Sequence, residues 1–489
     1  MKHTLRRLVH SRWGRLLLAS FLLLAIVAVT LDQYASRRDL SHLLGTARLN
    51  EGQPPQEGRP LQEGRPPQQV QRVSMSRVGV EGNSDSYGPS ISADGRYVAF
   101  VSAADNLVPD DNNQHRDVFL YDRYTDEITR LSMGYDGAEA NGPSREPVIS
   151  RDGQVVAFVS LADNLVPEDS NGVEDVFVYD RSDQTLSRVS IGTEGQQAND
   201  RSVHPALSGD GRLVAFVSQA DNLVADDENR ASDIFVHDRV LEDTERVSVS
   251  SDGEPANKTS KHPALSADGR FVAFQSRANN LDAADRDGLY DIFVHDRRTS
   301  TTELVSRNQE GSAGNHESLR PSLSDGGRFV AFESWASNLV AGDENGYSDV
   351  FVVDRDTGQV ELVSVTSDGE QANDVNGTAV ISSDGHLVAF ASRADNLAPN
   401  DSNKQYDVYV HDRRSRQTRL VSVNLVGQSA SGASISPSLT TAGLFVAFDS
   451  TASDLVHDDT NQYVDVFIFD TFAGMDLDHV VHLPLVVEP

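Results

Sequence analysis

Oxygen-bearing side chains two and six residues apart recur seven times along this 489-residue chain. The sets are Asp111, Asn113 and Asp117; Asp169, Asn171 and Asp175; Asp227, Asn229 and Asp233; Asp285, Asp287 and Asp291; Asp343, Asn345 and Asp349; Asp401, Asn403 and Asp407; and Asp459, Asn461 and Asp465. Hard oxygen donors spaced D-x-[N/D]-x-x-x-D in a loop can converge on Ca²⁺, which takes about 6–8 oxygens at about 2.3–2.6 Å. These are therefore candidate Ca²⁺ ligands, although the pattern lacks the fifth-position ligand and the bidentate Glu of a helix-loop-helix calcium site. The competing reading is structural: Asp and Asn make Asx turns, hold loop N–H groups and start the next strand. An Asp repeated in every copy suits a scaffold.

A second set stands out by variation. The position ahead of the repeated first-strand proline is Gly88, Glu146, His204, His262, Arg320, Thr378 and Ser436 in successive copies. Glu146, His204, His262 and Arg320 fall in four successive copies and could bind an anion or a transition metal together; the bland alternative is a solvated channel with ordinary polar walls. Trp335 replaces small or polar residues of the other copies and could stack on a sugar or another protein. The upstream element Asp105-Asn106-Leu107 reads as structural, with Leu107 plugging the loop and Asn106 bonding backbone groups. Asn279 and Ser337 replace its Asp in later copies, which removes that position from the metal hypothesis.

The elements that must position these residues follow from the repeat. The triplet Val-Ala-Phe starts at residues 98, 156, 214, 272, 330, 388 and 446, a constant period of 58. Each copy holds four short apolar runs. The first two are joined by a tight turn, Ala93-Asp94-Gly95-Arg96 in the first copy, where the glycine of Asp-Gly supplies positive φ at no steric cost. The second and third runs are apolar at successive positions, which implies burial on both faces. Seven such copies predict an all-β fold, a seven-bladed β-propeller of four-stranded repeats; an open solenoid is the alternative and would need polar caps. Gln71 to Ser76 matches the fourth strand, Ser74 lying one period before Ser132, and the last copy ends at Asp470 without a fourth strand of its own. The N-terminal strand is therefore expected to close the last blade, leaving no free sheet edge. Loops joining strands two to three and four to one then share one rim, opposite the Asp-Gly turns, and most of the chain's excess of acids falls on that rim.

The stretches "SADGRFVAFQS", "DIFVHDR" and "ELVS" resemble the TolB-type, WD40-like (PD40) propeller repeat of bacterial envelope and secreted proteins, over roughly residues 71–470. The long "ADNLVPDDNN" insert departs from that pattern, and the α/β domain of the periplasmic TolB protein is missing. The resemblance implies the fold, not that protein's role. Some TolB-like propellers are polysaccharide lyases with a histidine-bound metal near the channel, so the resemblance also implies a lyase- or hydrolase-like enzyme as an alternative.

Composition narrows the function. The formal net charge is −32, from 74 acids against 42 bases, which argues against nucleic acid as a partner. There is no cysteine, hence no disulfide framework or thiolate metal site. Lys2, Arg6, Arg7, Arg12 and Arg15 precede the apolar run Leu16 to Leu31, a signal peptide or membrane anchor within residues 1–35 that predicts an extracytoplasmic location. Membrane contact is expected only through residues 16–31, and only if they are retained. Residues 36–70 form a Pro-, Gly- and Gln-rich linker with almost nothing to bury, and 471–489 a short tail. No nucleophile elbow, His-Glu-x-x-His or phosphate-binding loop is present. The expected function is a non-catalytic platform for a protein or glycan partner on an acidic loop face, with Ca²⁺ as a candidate stabiliser; the alternatives are the enzyme at the channel mouth and a structural or adhesive surface module.

Overall fold

The computed structural model describes residues 69–471, and all 28 strands in this span form seven four-stranded antiparallel sheets. The expected signal or anchor, nearly all of the linker and nearly all of the tail lie outside the described residues. Among the described residues no helix is long and apolar enough to cross a membrane.

Blade 1 consists of Ser86–Ile91, Tyr97–Ser102, Asp117–Asp122 and Glu127–Arg130, paired in that order. The same pattern repeats to blade 7, where Ser434–Leu439, Phe445–Ser450 and Asp465–Asp470 are completed by Val70–Arg72 from the other end of the propeller. Gln71 faces Ile468 and Arg72 faces Phe467 across this closing ladder. The closing strand begins at Val70 and ends at Arg72, earlier than expected from the sequence. Beyond it Val73 N–H still donates to Val466 O at 2.8 Å, and the chain then turns away through a bridge between Met75 and Glu81.

The second and third strands are buried along nearly their whole length, as their unbroken apolar runs require. Each blade stacks one aromatic from each of these strands, from Phe100 on Phe119 at 5.9 Å to Phe448 on Phe467 at 5.9 Å. A fully buried Phe contributes about 1.5–3 kcal/mol of transfer free energy, so these pairs supply a large share of the core. The Asp-Gly turns serve packing as well as chain reversal. Gly95 has φ of +71°, and a Cβ there would meet the Phe445 ring of blade 7 at 2.4 Å. Glycine is thus required twice, once for backbone hand and once for the close approach of the neighbouring blade.

The innermost strands all carry a register shift, as between Tyr87 and Ser90 in blade 1. At each shift one residue is left-handed: Gly88, Glu146, His204, His262, Arg320, Thr378 and Ser436, with φ between +46° and +62°. These bulges turn one residue per blade at the central channel. At the other end of the channel the blades are laced together. Ala93 N–H donates to Arg151 O, Arg151 N–H to Gly209 O, Gly209 N–H to Ala267 O, Ala267 N–H to Asp325 O and Asp325 N–H to Ser383 O, at 2.9–3.1 Å. The Arg151 guanidinium crosses the channel there from blade 2 to Asp325 in blade 5 and Ser383 in blade 6.

Candidate functional site

The central cavity has a volume of ≈ 550 Å³ and is lined by the innermost strands of all seven blades. Its floor is the Arg151 crossing, and its mouth lies toward the long loops, where the left-handed positions sit. The bulge is what brings the variable residues to one place, and Glu146, His204, His262 and Arg320 all line the cavity. His204 Nδ1 lies 3.1 Å from Glu146 Oε2, which also accepts the His204 backbone N–H at 2.9 Å. The His204 and His262 rings lie 4.3 Å apart, inclined by 35°. Arg320 is paired with Glu333 at 3.1 Å.

Burial, reinforced by Arg145, Lys261, Arg201 and Arg320, depresses the His204 imidazole to about 4. Burial likewise takes His262 down to about 3, with His204, Arg320 and Lys261 adding to it. Both rings are neutral at physiological pH. Arg145 is neutralised by Glu146 and Glu174, whereas among the described residues Arg201 and Lys261 have no ion-pair partner. The mouth on blades 2 to 5 is therefore locally cationic on an otherwise acidic face. Trp335 is not among the cavity-lining residues. It is exposed, with its ring tilted against His316 at 6.3 Å.

Three residues of the mouth were not singled out from the sequence. Gln275, Glu333 and Asp449 occupy a second-strand position that is Val101, Val159, Val217 or Ala391 in the other blades. Each is buried and accepts the bulge N–H of the following blade: Gln275 from Arg320 at 2.8 Å, Glu333 from Thr378 at 2.8 Å and Asp449 from Gly88 at 2.9 Å. Burial raises the Asp449 carboxyl to about 6 despite these hydrogen bonds. The signal was a polar residue inside an otherwise apolar strand, in the series Val-Ala-Phe-x-Ser.

The long-loop carboxylates do not share one site. In blade 1 Asn113 forms an Asx turn with His115 N–H at 2.8 Å and donates to Asp117 Oδ2 at 2.9 Å, while Ser132 donates to Asp117 Oδ1 at 2.5 Å. Arg130, from the fourth strand, lies 2.7 Å from Asp111 and 3.5 Å from Asp117. Blades 2 and 3 repeat this, with Arg188 2.7 Å from Asp169 and Arg246 2.9 Å from Asp227, and Asn171 and Asn229 donating to Asp175 and Asp233, each at 2.6 Å. In blade 7 Arg72 lies 3.3 Å from both Asp459 and Asp465, and Asn461 donates to Asp465 at 3.0 Å. In these four blades a guanidinium already occupies the space between the carboxylates.

Blades 4, 5 and 6 carry Leu304, Leu362 and Leu420 in place of that arginine. In blade 5 Asn345 donates to Asp349 at 2.8 Å and Asn376 adds a second bond at 3.2 Å, while Gln371 reaches Asp343 at 3.5 Å. In blade 6 the Tyr409 hydroxyl donates to Asp401, Ser422 donates to Asp407 Oδ1 at 2.6 Å, and the Asn403 amide goes to Ala430 O at 2.7 Å. Blade 4 alone has a third acid, Asp287, in place of the Asn. Among the described residues, Asp285, Asp287 and Asp291 are the one grouping whose ligand atoms could hold a metal together, all lying within 4.8 Å of one another. Burial raises Asp285 to about 6 and Asp291 to about 8, with the neighbouring carboxylates adding to it.

The Asp105-Asn106-Leu107 element is structural. Leu107 is buried, Asn106 Nδ2 donates to Glu81 O at 2.8 Å, and Asn106 Oδ1 accepts from Asn83 N–H at 3.0 Å. Asn279 and Ser337 accept the equivalent side-chain bond from Asn257 and Asn315 at 2.8 and 3.1 Å, so the replacements keep the contact.

No sequence-family model matches the chain, and neither does any curated protein sequence. Solved structures do. An oligogalacturonate lyase in complex with manganese is 12% identical, with a TM-score of 0.51 over 84% of this chain and 95% of that one. The β-propeller domain of the trilobed protease from Pyrococcus furiosus, described as an open velcro topology, is 12% identical, with a TM-score of 0.48 over 79% of this chain and 96% of that one. TolB from Acinetobacter baumannii is 15% identical, with a TM-score of 0.38 over 78% of this chain and 82% of that one. At these identities the likeness is one of fold, and the chain is a seven-bladed β-propeller.

Proposed function

We propose that this protein is an extracytoplasmic, non-catalytic binding platform of the TolB-like, PD40 type, taking an acidic glycan or protein ligand at the long-loop mouth of its channel. The observation that carries this reading is the varied left-handed position. One backbone device, repeated in seven blades, holds seven residues, six of them with side chains, at one mouth, and there Arg201 and Lys261, without an ion-pair partner among the described residues, flank two neutral imidazoles. Repetition serves the ring, and variation at a shared position serves recognition. The basic flank and apolar run ahead of the propeller support export, and the net charge of −32 disfavours nucleic acid.

A catalytic reading draws on the likeness to a lyase fold and on the His204–Glu146 contact. Two features weigh against it. A general base works best with a pKa near the operating pH, and imidazoles held at about 4 and about 3 are weak bases. The two rings also lie against each other, 4.3 Å apart, and among the described residues they form no group of three metal-binding donors.

The test is calorimetric titration of the protein with a panel of acidic and neutral oligosaccharides, together with an assay for chain cleavage. The platform reading expects binding of an acidic member without turnover, weakened at least tenfold in Arg201→Ala/Lys261→Ala. Turnover that disappears in His204→Ala or His262→Ala would overturn it in favour of the enzyme.

A further inference from the structure

Blade 4 combines three residues around one long loop that add negative charge or remove positive charge, and two of them, Asp282 and Asp287, occur in no other blade. Leu304 stands where blades 1, 2, 3 and 7 have arginine, Asp287 where every other blade has asparagine, and Asp282 where the others have valine or alanine. The outcome is two buried carboxylate oxygens, Asp285 Oδ2 and Asp291 Oδ2, without any hydrogen-bond partner, on residues that are 1% and 0% exposed. Taking a carboxylate out of water costs several kcal/mol unless a partner compensates. In blades 1, 2, 3, 5 and 7 the partner is a guanidinium, an amide or a hydroxyl. Here none is supplied.

The remaining oxygens are already in use. Asp291 Oδ1 accepts the Ser306 hydroxyl at 2.6 Å, Asp285 Oδ1 the Asp287 N–H at 3.3 Å, and Asp287 Oδ1 the Leu289 N–H at 2.8 Å. Asp282 is committed to the Leu304 N–H at 3.2 Å. The loop thus holds each carboxylate of the triad by one oxygen and leaves the second for something else. Among the described residues Lys258 is the cation that acts on Asp285; its ammonium lies over Gly288 but forms no ion pair with the triad.

We propose that Asp285, Asp287 and Asp291 form a single Ca²⁺ site on the long loop of blade 4, the place taken by an arginine in blades 1, 2, 3 and 7. An all-oxygen donor set suits a hard divalent cation rather than a soft one. Ca²⁺ rather than Mg²⁺ fits a site built from loop carboxylates, because Ca²⁺ accepts about 6–8 oxygens in flexible geometry, whereas Mg²⁺ demands a near-ideal octahedron and keeps several of its waters. The three carboxylates come close enough together to share one ion. Backbone carbonyls and water would complete the shell. Blade 6 also leaves an orphan oxygen, Asp407 Oδ2, but it has only two carboxylates and Tyr409 holds one of them. It is the internal control.

The experiment uses the full chain, stripped with EDTA and titrated with CaCl₂ and with MgCl₂ by calorimetry, with thermal melts alongside. The expected result is one Ca²⁺ per chain, at least tenfold weaker Mg²⁺ binding, and a rise in Tm on adding Ca²⁺, because a ligand of the native state alone stabilises it. Asp287→Asn installs the residue of the other six loops, so it should fold, and it should lose Ca²⁺ uptake at least tenfold. Lys258→Met should leave uptake intact or tighten it. No uptake by the wild type, uptake near seven per chain, or uptake unchanged in Asp287→Asn would each overturn the site. A Lys258→Met variant that melts far below a wild type insensitive to Ca²⁺ would show that the lysine is the true partner.

Discussion

The long loop of blade 2 closes around Arg188, whose guanidinium lies 2.7 Å from Asp169 and 3.5 Å from Asp175. The long loop of blade 4 holds the matching carboxylates, Asp285 and Asp291, around Leu304 and adds Asp287. The backbones correspond strand for strand, so the difference lies entirely in how buried charge is neutralised. Blade 2 carries its cation as a side chain. Blade 4 leaves the cation to be supplied. A repeat protein can thus acquire a binding position without any new loop, by deleting the internal partner from one copy.

The strongest way to break the comparison is to make blade 2 resemble blade 4. Arg188→Leu should leave buried Asp169 without its cation, and Asp175 held only by Asn171 and Ser190, and cost about 3–5 kcal/mol, read as a lowered denaturation midpoint; adding Asp169→Leu should recover part of the loss. Next in size, Asn345→Asp would turn blade 5, which already has Leu362, into a second triad. It should lose about 1–3 kcal/mol in chelator, where the Asp349 oxygen loses its amide donor, and take up a second equivalent of Ca²⁺ by calorimetry. In the opposite direction, Asp287→Asn should give blade 4 the amide of the other blades and raise its stability in EDTA by about 1 kcal/mol.

The smallest effect concerns the two imidazoles of the channel mouth, which are neutral among charged neighbours. Folding holds His204 and His262 below the ordinary imidazole range, so the unfolded chain takes up their protons first as pH falls. Their contribution is complete above about pH 6.5 and is lost as pH drops toward about 4. Melts between pH 7 and 4 should therefore be less pH-dependent in His204→Gln/His262→Gln than in the wild type; equal slopes would remove this account of the mouth.

The ring was legible because its signals are repeated: the period of 58 and the glycine turns mark each blade, and the same repeat lets the fourth-strand match at Ser74 reveal a closure with Asp465, 391 residues away. The site was only half legible. The position shared by Glu146, His204, His262 and Arg320 shows in the sequence as variation, but its left-handed backbone does not, since only Gly88 of the seven is the residue that such a φ favours. The metal pattern was written as D-x-[N/D]-x-x-x-D, which treats Asp287 as a tolerated spelling of Asn. What separates them is a hydrogen on the amide and an arginine on the fourth strand, 19 residues away in Arg188 and Asp169. Both were present in the sequence, and their coupling becomes visible only when loop and strand are compared together across all copies.

The guanidinium of Arg151, reaching over to Asp325 and Ser383, ties three blades together across the base of the central passage. It stands in the way of a polymer threading the ring from end to end, and Arg151→Ala would remove the tie and the obstruction together.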